Sequence, residues 1–434
     1  MSELRRALGQ THATAMVVGT IIGASIFVQP SEITKQMPSV QGILFVWLFA
    51  GVLTMFGALI CAELASAYPE TGGVYVFLRE SVGAPVAFLW GWAMLWSMHS
   101  GIIAAIATVF ARYATTFVPL GQTGTRALAA GVILLLSLVN YIGVKHGGRT
   151  QNIFTVAKVA AVAGVIVAGL VWRGAAPPPL MDAAPATARG FLLAVAAGLF
   201  SYGGWHMVTY TAGETRNPTK TIPRALMAGT LIATACYAGL NVIYLRVLPL
   251  DAVRSSAHVA ADAADVMLGG GGATLMAAVV LVSAFGAVNG IILVGPRVYY
   301  SMARDGVLFQ ALGAVNPRFG TPGPAILVQA VISAGLAVTN TYGALFSRVI
   351  YTEWIFFAIM AAGLIVLRRR PGYAPAYRLP GGVGIALIFI VASLTIVWTQ
   401  VAANPADSLI GLGIVLVGLP VYGVWSRRAN SRLS

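Results

Sequence analysis

The chain has 434 residues, of which 58% are hydrophobic and only 9% charged, a balance that would leave a soluble protein with more apolar surface than it could hide. Its formal net charge is +14, but the 27 Lys and Arg fall in short clusters between apolar runs. No basic face forms, which argues against a nucleic-acid partner.

The apolar runs are continuous and each approaches the roughly 20 residues that a helix needs to cross a hydrocarbon core. Helices, not an alternating β-barrel, are therefore expected, and the fold class is an all-α membrane protein of about twelve transmembrane helices. Met1 to Gln10 carries Arg5 and Arg6 and leads into an apolar run with no small-residue cleavage pattern, so it reads as the start of a retained first span. The first six spans are expected near 13–33, 42–67, 85–116, 126–144, 149–172 and 191–213. The next six are expected near 225–248, 273–302, 324–340, 348–367, 383–403 and 408–425.

Between these spans, Arg173 to Gly190 with Pro177, Pro178 and Pro179 reads as the longest irregular stretch of the first half. Gly269 to Gly272 is not followed by a Lys-Ser/Thr pair, so it reads as a flexible helix start and not as a phosphate loop. Cys61 and Cys236 both lie inside apolar runs, which fits neither a disulfide framework nor a zinc site; no metal and no cofactor is expected. With the N-terminus in the cytoplasm, eighteen Lys and Arg fall on inner segments and seven on outer ones. The positive-inside rule then places both termini in the cytoplasm of a cell (inner or plasma) membrane protein.

Glycines interrupt two spans. Span 1 holds Gly19 and Gly23-Ala24-Ser25-Ile26-Phe27, and span 6 holds Gly198 and Ser201-Tyr202-Gly203-Gly204-Trp205. Such breaks five spans apart point to discontinuous helices in a transporter of two inverted repeats; the alternative is close helix packing through small residues. A broken helix offers amides at one stump and carbonyls at the other, so backbone alone can hold a zwitterion. An amino acid fits, its carboxylate at the N-terminal stump of span 1 and its ammonium on the carbonyls left by spans 1 and 6.

Lys158 stands near the middle of span 5, about 15 Å of helix from either end, beyond easy reach of the interface by snorkelling. A charge at that depth points to a function. Glu353, about a turn and a half into the expected span 10, has two readings: a pocket group that contacts substrate or accepts a proton, or a surface partner of Arg348. His99 and His206 read as proton carriers or as histidines hydrogen-bonded between helices. Trp90, Trp92 and Trp96 read as an interfacial or packing cluster.

Val18-Gly19-Thr20-Ile21-Ile22-Gly23-Ala24-Ser25-Ile26-Phe27-Val28 resembles the first-helix signature of the amino acid, polyamine and organocation transporter superfamily. Similar matches occur at Ala62-Glu63-Leu64, Phe200 to Trp205, Glu214-Thr215-Arg216-Asn217-Pro218, Ile222-Pro223-Arg224-Ala225 and Phe285-Gly286-Ala287-Val288-Asn289-Gly290. The branch most similar is that of the L-type amino acid transporters and their bacterial exchanger relatives. The resemblance implies a LeuT-type fold of five plus five inverted spans and two extra helices. It divides the chain into 1–172 and 173–370, the two repeats, and 371–434, the accessory helices.

The resemblance also implies that the amides of Ala24 and Ser25 hold a substrate carboxylate and the carbonyls of Ile21, Phe200 and Gly203 its ammonium. Gly23, Ser201 and Glu353 complete the substrate-binding set, the Phe200 ring is the outer gate, and Lys158 takes the place of a sodium ion as the coupling group. Gly23-Ala24-Ser25 stands where the family commonly reads Gly-Ser-Gly, so Ser25 adds bulk and small neutral L-amino acids are the expected substrates. Animal members bind a heavy chain through a cysteine after span 3; Phe117 to Thr125 holds none, so no covalently linked subunit is expected.

The expected function is secondary amino acid transport, by sodium-independent exchange or proton symport. A carrier for cationic amino acids or polyamines with Glu353 as counter-charge is the alternative. A membrane enzyme lacks support in the absence of HExxH or GxSxG patterns, and a non-transporting sensor would carry a sizeable soluble domain, whereas the longest loops here run to about twenty residues.

Overall fold

The computed structural model describes residues 6–174, 187–340 and 342–430, apart from the side chains of 144–146, 342–344, 346–348, 350 and 426–430. Helices follow one another throughout, and no named strand occurs among the described residues. Among the described residues ten helices are long and apolar enough to cross a membrane, and two shorter apolar ones, Gly323–Thr339 and Tyr351–Leu367, fill the places of spans 9 and 10.

Span 1 is Gln10–Ile21, a break, the turn Ser25–Phe27 and Gln29–Gln36; span 6 is Ala188–Ser201, a break and Trp205–Glu214. Spans 2 to 5 are Val40–Ala67, Ala84–Ala114, Gln122–Ile142 and Val144–Val171. Spans 7 and 8 are Pro218–Val247 and Gly272–Val294, the latter continuing as Pro296–Arg304. Spans 10 to 12 are Tyr342–Leu367, Gly382–Ala403 and Pro405–Asn430. Large apolar side chains point outward along the later spans, Val331, Val391 and Trp398 among them, as lipid-facing surface must.

Local chemistry sets the ends. Ser39 and Thr187 cap spans 2 and 6 by accepting from the amides of Gly42 and Gly190. Asn217 adopts a left-handed φ of 47° and turns the chain into span 7, whose first residue, Pro218, needs no amide partner. The glycine run serves two helices: Gly269 ends Val259–Leu268 at φ 76° and Gly272 begins span 8. The short helices Val74–Ser81, Leu250–Ser255 and Val259–Leu268 replace what the sequence reads as loops, because their buried faces are only a few residues long. The expected irregular stretch ends earlier than Gly190, at Ala188, and 175–186 lie outside the described residues.

The two ends of the bundle differ. On the side of the N-terminus, the amides of Ala7 and Leu8 donate to the Glu214 carbonyl at 2.8 and 2.9 Å, and Arg216 N–H donates to Leu8 at 2.8 Å. Beneath this clasp the Arg297 guanidinium grips the Glu214 carboxylate at 3.0 and 3.1 Å, both side chains buried. Arg79 joins Glu70, Glu80 and Asp305 at 3.0, 2.9 and 2.7 Å; burial opposes its charge, yet these hydrogen bonds hold the guanidinium above its ordinary range. Arg368 is likewise raised by its hydrogen bonds to Glu63, which also accepts from Leu379 N–H at 2.6 Å. On the opposite side an open vestibule of about 800 Å³ is bordered by Gln29, Glu32, Lys35, Arg112, Leu193, Ala197 and Asp407.

Candidate functional site

Both expected breaks are present and they meet. Ile22 takes φ −74° and ψ 83°, an inverse γ-turn in which Gly23 N–H donates back to the Ile21 carbonyl at 2.7 Å. In span 6, Gly204 has φ 95°; a β-carbon there would lie 3.1 Å from the Thr20 carbonyl oxygen, so only glycine lets the breaks approach this closely. Thr20 Oγ1 donates to the Gly204 carbonyl at 3.1 Å. The hydroxyl of Tyr237 of span 7 lies 2.7 Å from the Ile21 carbonyl and 2.8 Å from the Ser201 carbonyl, so its one proton is shared between the two stumps. The amides of Ala24 and Ser25 donate to no backbone carbonyl, as expected where a helical turn restarts.

Around the paired breaks is a small cavity of about 20 Å³, lined by Ile21, Gly23, Ser25, Phe200, Ser201, Gly203 and Glu353 together with Thr20, Ile102, Ile106, Met207 and Ile291. Most of the expected residues are thus brought to one place. Ala24 is not among the lining residues; its side chain is buried in the core, leaving its amide as the group it can offer. Phe200 lines this cavity, while Ala197 and Leu193, one and two turns earlier on the same helix, line the vestibule. The Ile21 carbonyl accepts from Gly23 N–H at 2.7 Å, as the Phe200 carbonyl does from Gly203 N–H at 2.9 Å, and it shares the Tyr237 proton with Ser201.

Lys158 is fully buried, and its Nζ donates to the carbonyls of Gly19 at 3.0 Å, Ile22 at 2.7 Å and Ser283 at 3.1 Å. Three donors meet three acceptors, so the ammonium is satisfied without reaching the interface. The carbonyls of Gly19 and Ile22 are freed by the break; the third acceptor, from span 8, had no signal in the sequence. Ser283 Oγ adds a 3.2 Å bond to the Gly23 carbonyl. Gly19 and Gly286 border this site, where a β-carbon would press on Gln151 and Thr155 or on Phe154. Asn289 of the span 8 motif accepts from Asn140 at 2.8 Å and donates to Gly147 and Gln151 at 3.2 Å, fixing span 8 to spans 4 and 5.

Glu353 lies deeper than expected. Span 10 begins at Tyr342, whose polar neighbours disguise the first turns, so Glu353 is about three turns in. Its Oε1 is buried without a hydrogen-bond partner, and the Arg348 side chain lies outside the described residues. His99 and His206 correct the expectation of histidines hydrogen-bonded between helices: none of their ring nitrogens has a partner, and both pack among aromatic rings. Of the three tryptophans, Trp92 and Trp96 pack together with ring centroids 5.6 Å apart, and Trp90 packs elsewhere. Trp90 is buried against Phe356 and Phe357, Trp92 donates to Ile414 at 2.8 Å, and Trp96 is 43% exposed. Among the described residues no group of His, Cys, Asp or Glu is arranged to hold a metal.

Paired helix breaks, a cavity between them and a buried cation against the break define a membrane transporter site of LeuT type. The amino acid permease family matches residues 8–419, and the chain belongs to that family, within the amino acid, polyamine and organocation superfamily. It is similar to the serine/threonine exchanger SteT of Bacillus subtilis (strain 168), with 31% identity covering 98% of each chain. The human b(0,+)-type amino acid transporter 1 shares 31% identity over 97% of this chain and 88% of its own length. The large neutral amino acids transporter small subunit 2 of Rattus norvegicus shares 32% over 96% and 80%. These relatives carry amino acids, and this chain is a multi-pass amino acid transporter.

Proposed function

We propose that the protein is a sodium-independent exchanger of small neutral L-amino acids, working by alternating access across a cell membrane with both termini in the cytoplasm. The observation that carries this reading is the Lys158 ammonium on the carbonyls of Gly19, Ile22 and Ser283: a fixed cation occupies the ground between spans 1, 5 and 8 where a mobile one would sit.

In this reading the substrate carboxylate meets the amides of Ala24 and Ser25, and its ammonium meets the carbonyls of Ile21, Phe200 and Gly203. Ser25 narrows the space for the side chain, and the Phe200 ring closes the cavity toward the vestibule. The serine/threonine exchanger among the relatives supports both exchange and small substrates. The ion pair Arg297–Glu214 and the N-terminal clasp act as the cytoplasmic seal, consistent with the positive charge on that side. Residues 1–172 and 173–370 act as the two moving repeats and 371–434 as an accessory pair. Phe117 to Thr125 offers no cysteine, so the transporter works without a disulfide-linked heavy chain.

Counterflow in liposomes tests the proposal: labelled serine or alanine enters vesicles preloaded with the unlabelled amino acid, equally in sodium and in choline buffer. Sodium-stimulated uptake overturns it. The unpartnered Glu353 Oε1 in the cavity wall favours a second reading, transport of cationic amino acids or polyamines; labelled arginine exchanging faster than alanine selects it.

A further inference from the structure

On the N-terminal side of the cavity lies a set of polar side chains that the exchange cycle leaves unused. His99 and His206 are fully buried with all ring nitrogens unpartnered, and the hydroxyls of Tyr210 and Tyr299, both amide atoms of Gln329, Trp90 Nε1 and Glu353 Oε1 are buried and unpartnered as well. Four of the rings are contiguous. Ring centroids run from Trp90 to His206 at 5.9 Å, His206 to Tyr210 at 5.6 Å and Tyr210 to His99 at 5.6 Å. His99 Nδ1 and the Gln329 amide both border Gly295, where a β-carbon would meet the former at 2.8 Å. Tyr210 lies within electrostatic reach of Glu353 and Tyr299.

Buried polar atoms are nearly always satisfied by protein or by ordered water, and lipid supplies neither donors nor acceptors. Ten such atoms gathered from spans 3, 6, 8, 9 and 10 therefore mark a place built to hold water. A second observation points the same way. Span 3 is wound as a π-helix over Met94–Met98, closed by Ser100 Oγ donating to the Leu95 carbonyl at 2.6 Å. Such insertions occur chiefly at functional sites, and this one immediately precedes His99 and sets its register against span 6.

We propose that these residues line a hydrated chamber that conducts protons between Glu353 and the N-terminal side of the protein, making Glu353 the proton carrier of the transport cycle. The proposal rests on the amino acid transport reading and deepens it by naming the coupled ion. The proton passes along water and imidazole to the Glu353 carboxylate and leaves by the cavity when that opens to the other side; no electrons move. The titratable groups facing Glu353 and the chamber are His99 from span 3, His206 and Tyr210 from span 6, Tyr299 from span 8, and Cys61 from span 2, whose thiol is 3.6 Å from Met360 of span 10. The span 1 residues lining the cavity bring none, and Lys158 is held by its three carbonyls.

The test uses the full chain in liposomes with a trapped pH dye, alongside counterflow of labelled serine. Expected are substrate-dependent proton flux in the wild type, loss of that flux in Glu353→Gln with recovery in Glu353→Asp, and loss of flux with counterflow intact in His206→Phe and Gln329→Leu. Wild-type counterflow without proton flux overturns the proposal and leaves the transport reading standing; no counterflow at all removes the transport reading itself. Wild-type flux in either Glu353→Gln or both chamber variants also overturns it. So does loss of counterflow together with flux in both chamber variants, which would make these groups packing residues.

Discussion

The wall of the cavity formed by spans 1, 5 and 8 and the floor formed by spans 3, 6, 9 and 10 are equally buried, yet they treat polar groups in opposite ways. In the wall, Lys158, Ser283, Asn289 and Gln151 bond to backbone or to one another, and Asn140 of span 4 donates to Asn289 while its own Oδ1 stays unpartnered. In the floor, His99, His206, Tyr210, Gln329 and Glu353 present unpartnered atoms. A densely bonded polar network rigidifies what it joins. An unsaturated one needs water, which can come and go as neighbouring helices move. The difference assigns a fixed post to one side of the break and a changeable surface to the other.

The largest test of that contrast is Lys158→Ala. Hydrogen bonds to a charged group are worth about 1.5–3 kcal/mol each, and three are lost at once, leaving the Gly19 carbonyl stranded and the Ile22 carbonyl with only Ser283 Oγ at 3.3 Å. Counterflow is expected to fall below detection while equilibrium binding of labelled substrate persists, since the backbone stumps remain. Normal turnover would sink the role given to the ammonium.

Asn289→Leu comes next. It leaves Gln151 Oε1 and one Asn140 Nδ2 hydrogen unpaired, at about 1–3 kcal/mol per buried group left unpaired, and should lower the melting temperature of the detergent-purified protein by several degrees. His206→Phe sharpens the contrast with the opposite sign: it removes two unmet nitrogens and keeps an aromatic ring among Trp90, Trp205 and Phe357. Stability should be unchanged or raised by up to about 1–2 kcal/mol; a drop as large as that of Asn289→Leu would show that the floor is packed like the wall. Ser25→Gly has the smallest expected effect. Deleting one small side chain from the cavity admits roughly one more methylene, about 1–3 kcal/mol of selectivity, so leucine should compete better against serine with little change in melting temperature.

Much of this was legible in the chain. The expected spans agree with the helices to within a few residues at most ends, because a continuous apolar run in lipid has no structure open to it but a helix. The glycines of spans 1 and 6 and the depth of Lys158 mark the candidate site in the sequence itself, since each is a feature a plain lipid-crossing helix does not need. Less could be read where polar residues open a helix: Tyr342, Ser347 and Arg348 hid the first turns of span 10 and moved Glu353 toward the surface. Tyr237 was missed, although a phenol inside span 7 was its signal.

By itself, then, the sequence determined the number and kind of spans, the two breaks and the presence of a buried cation, all of which follow from local hydropathy and backbone chemistry. Only the tertiary structure decided what those features touch. That Tyr237 ties Ile21 to Ser201, that Ser283 gives Lys158 its third acceptor, that Arg297 closes on Glu214, and that the histidines have rings for neighbours and no partners depends on contacts between residues far apart in the chain. Helix periodicity says which face a residue occupies; it does not say which helix lies opposite.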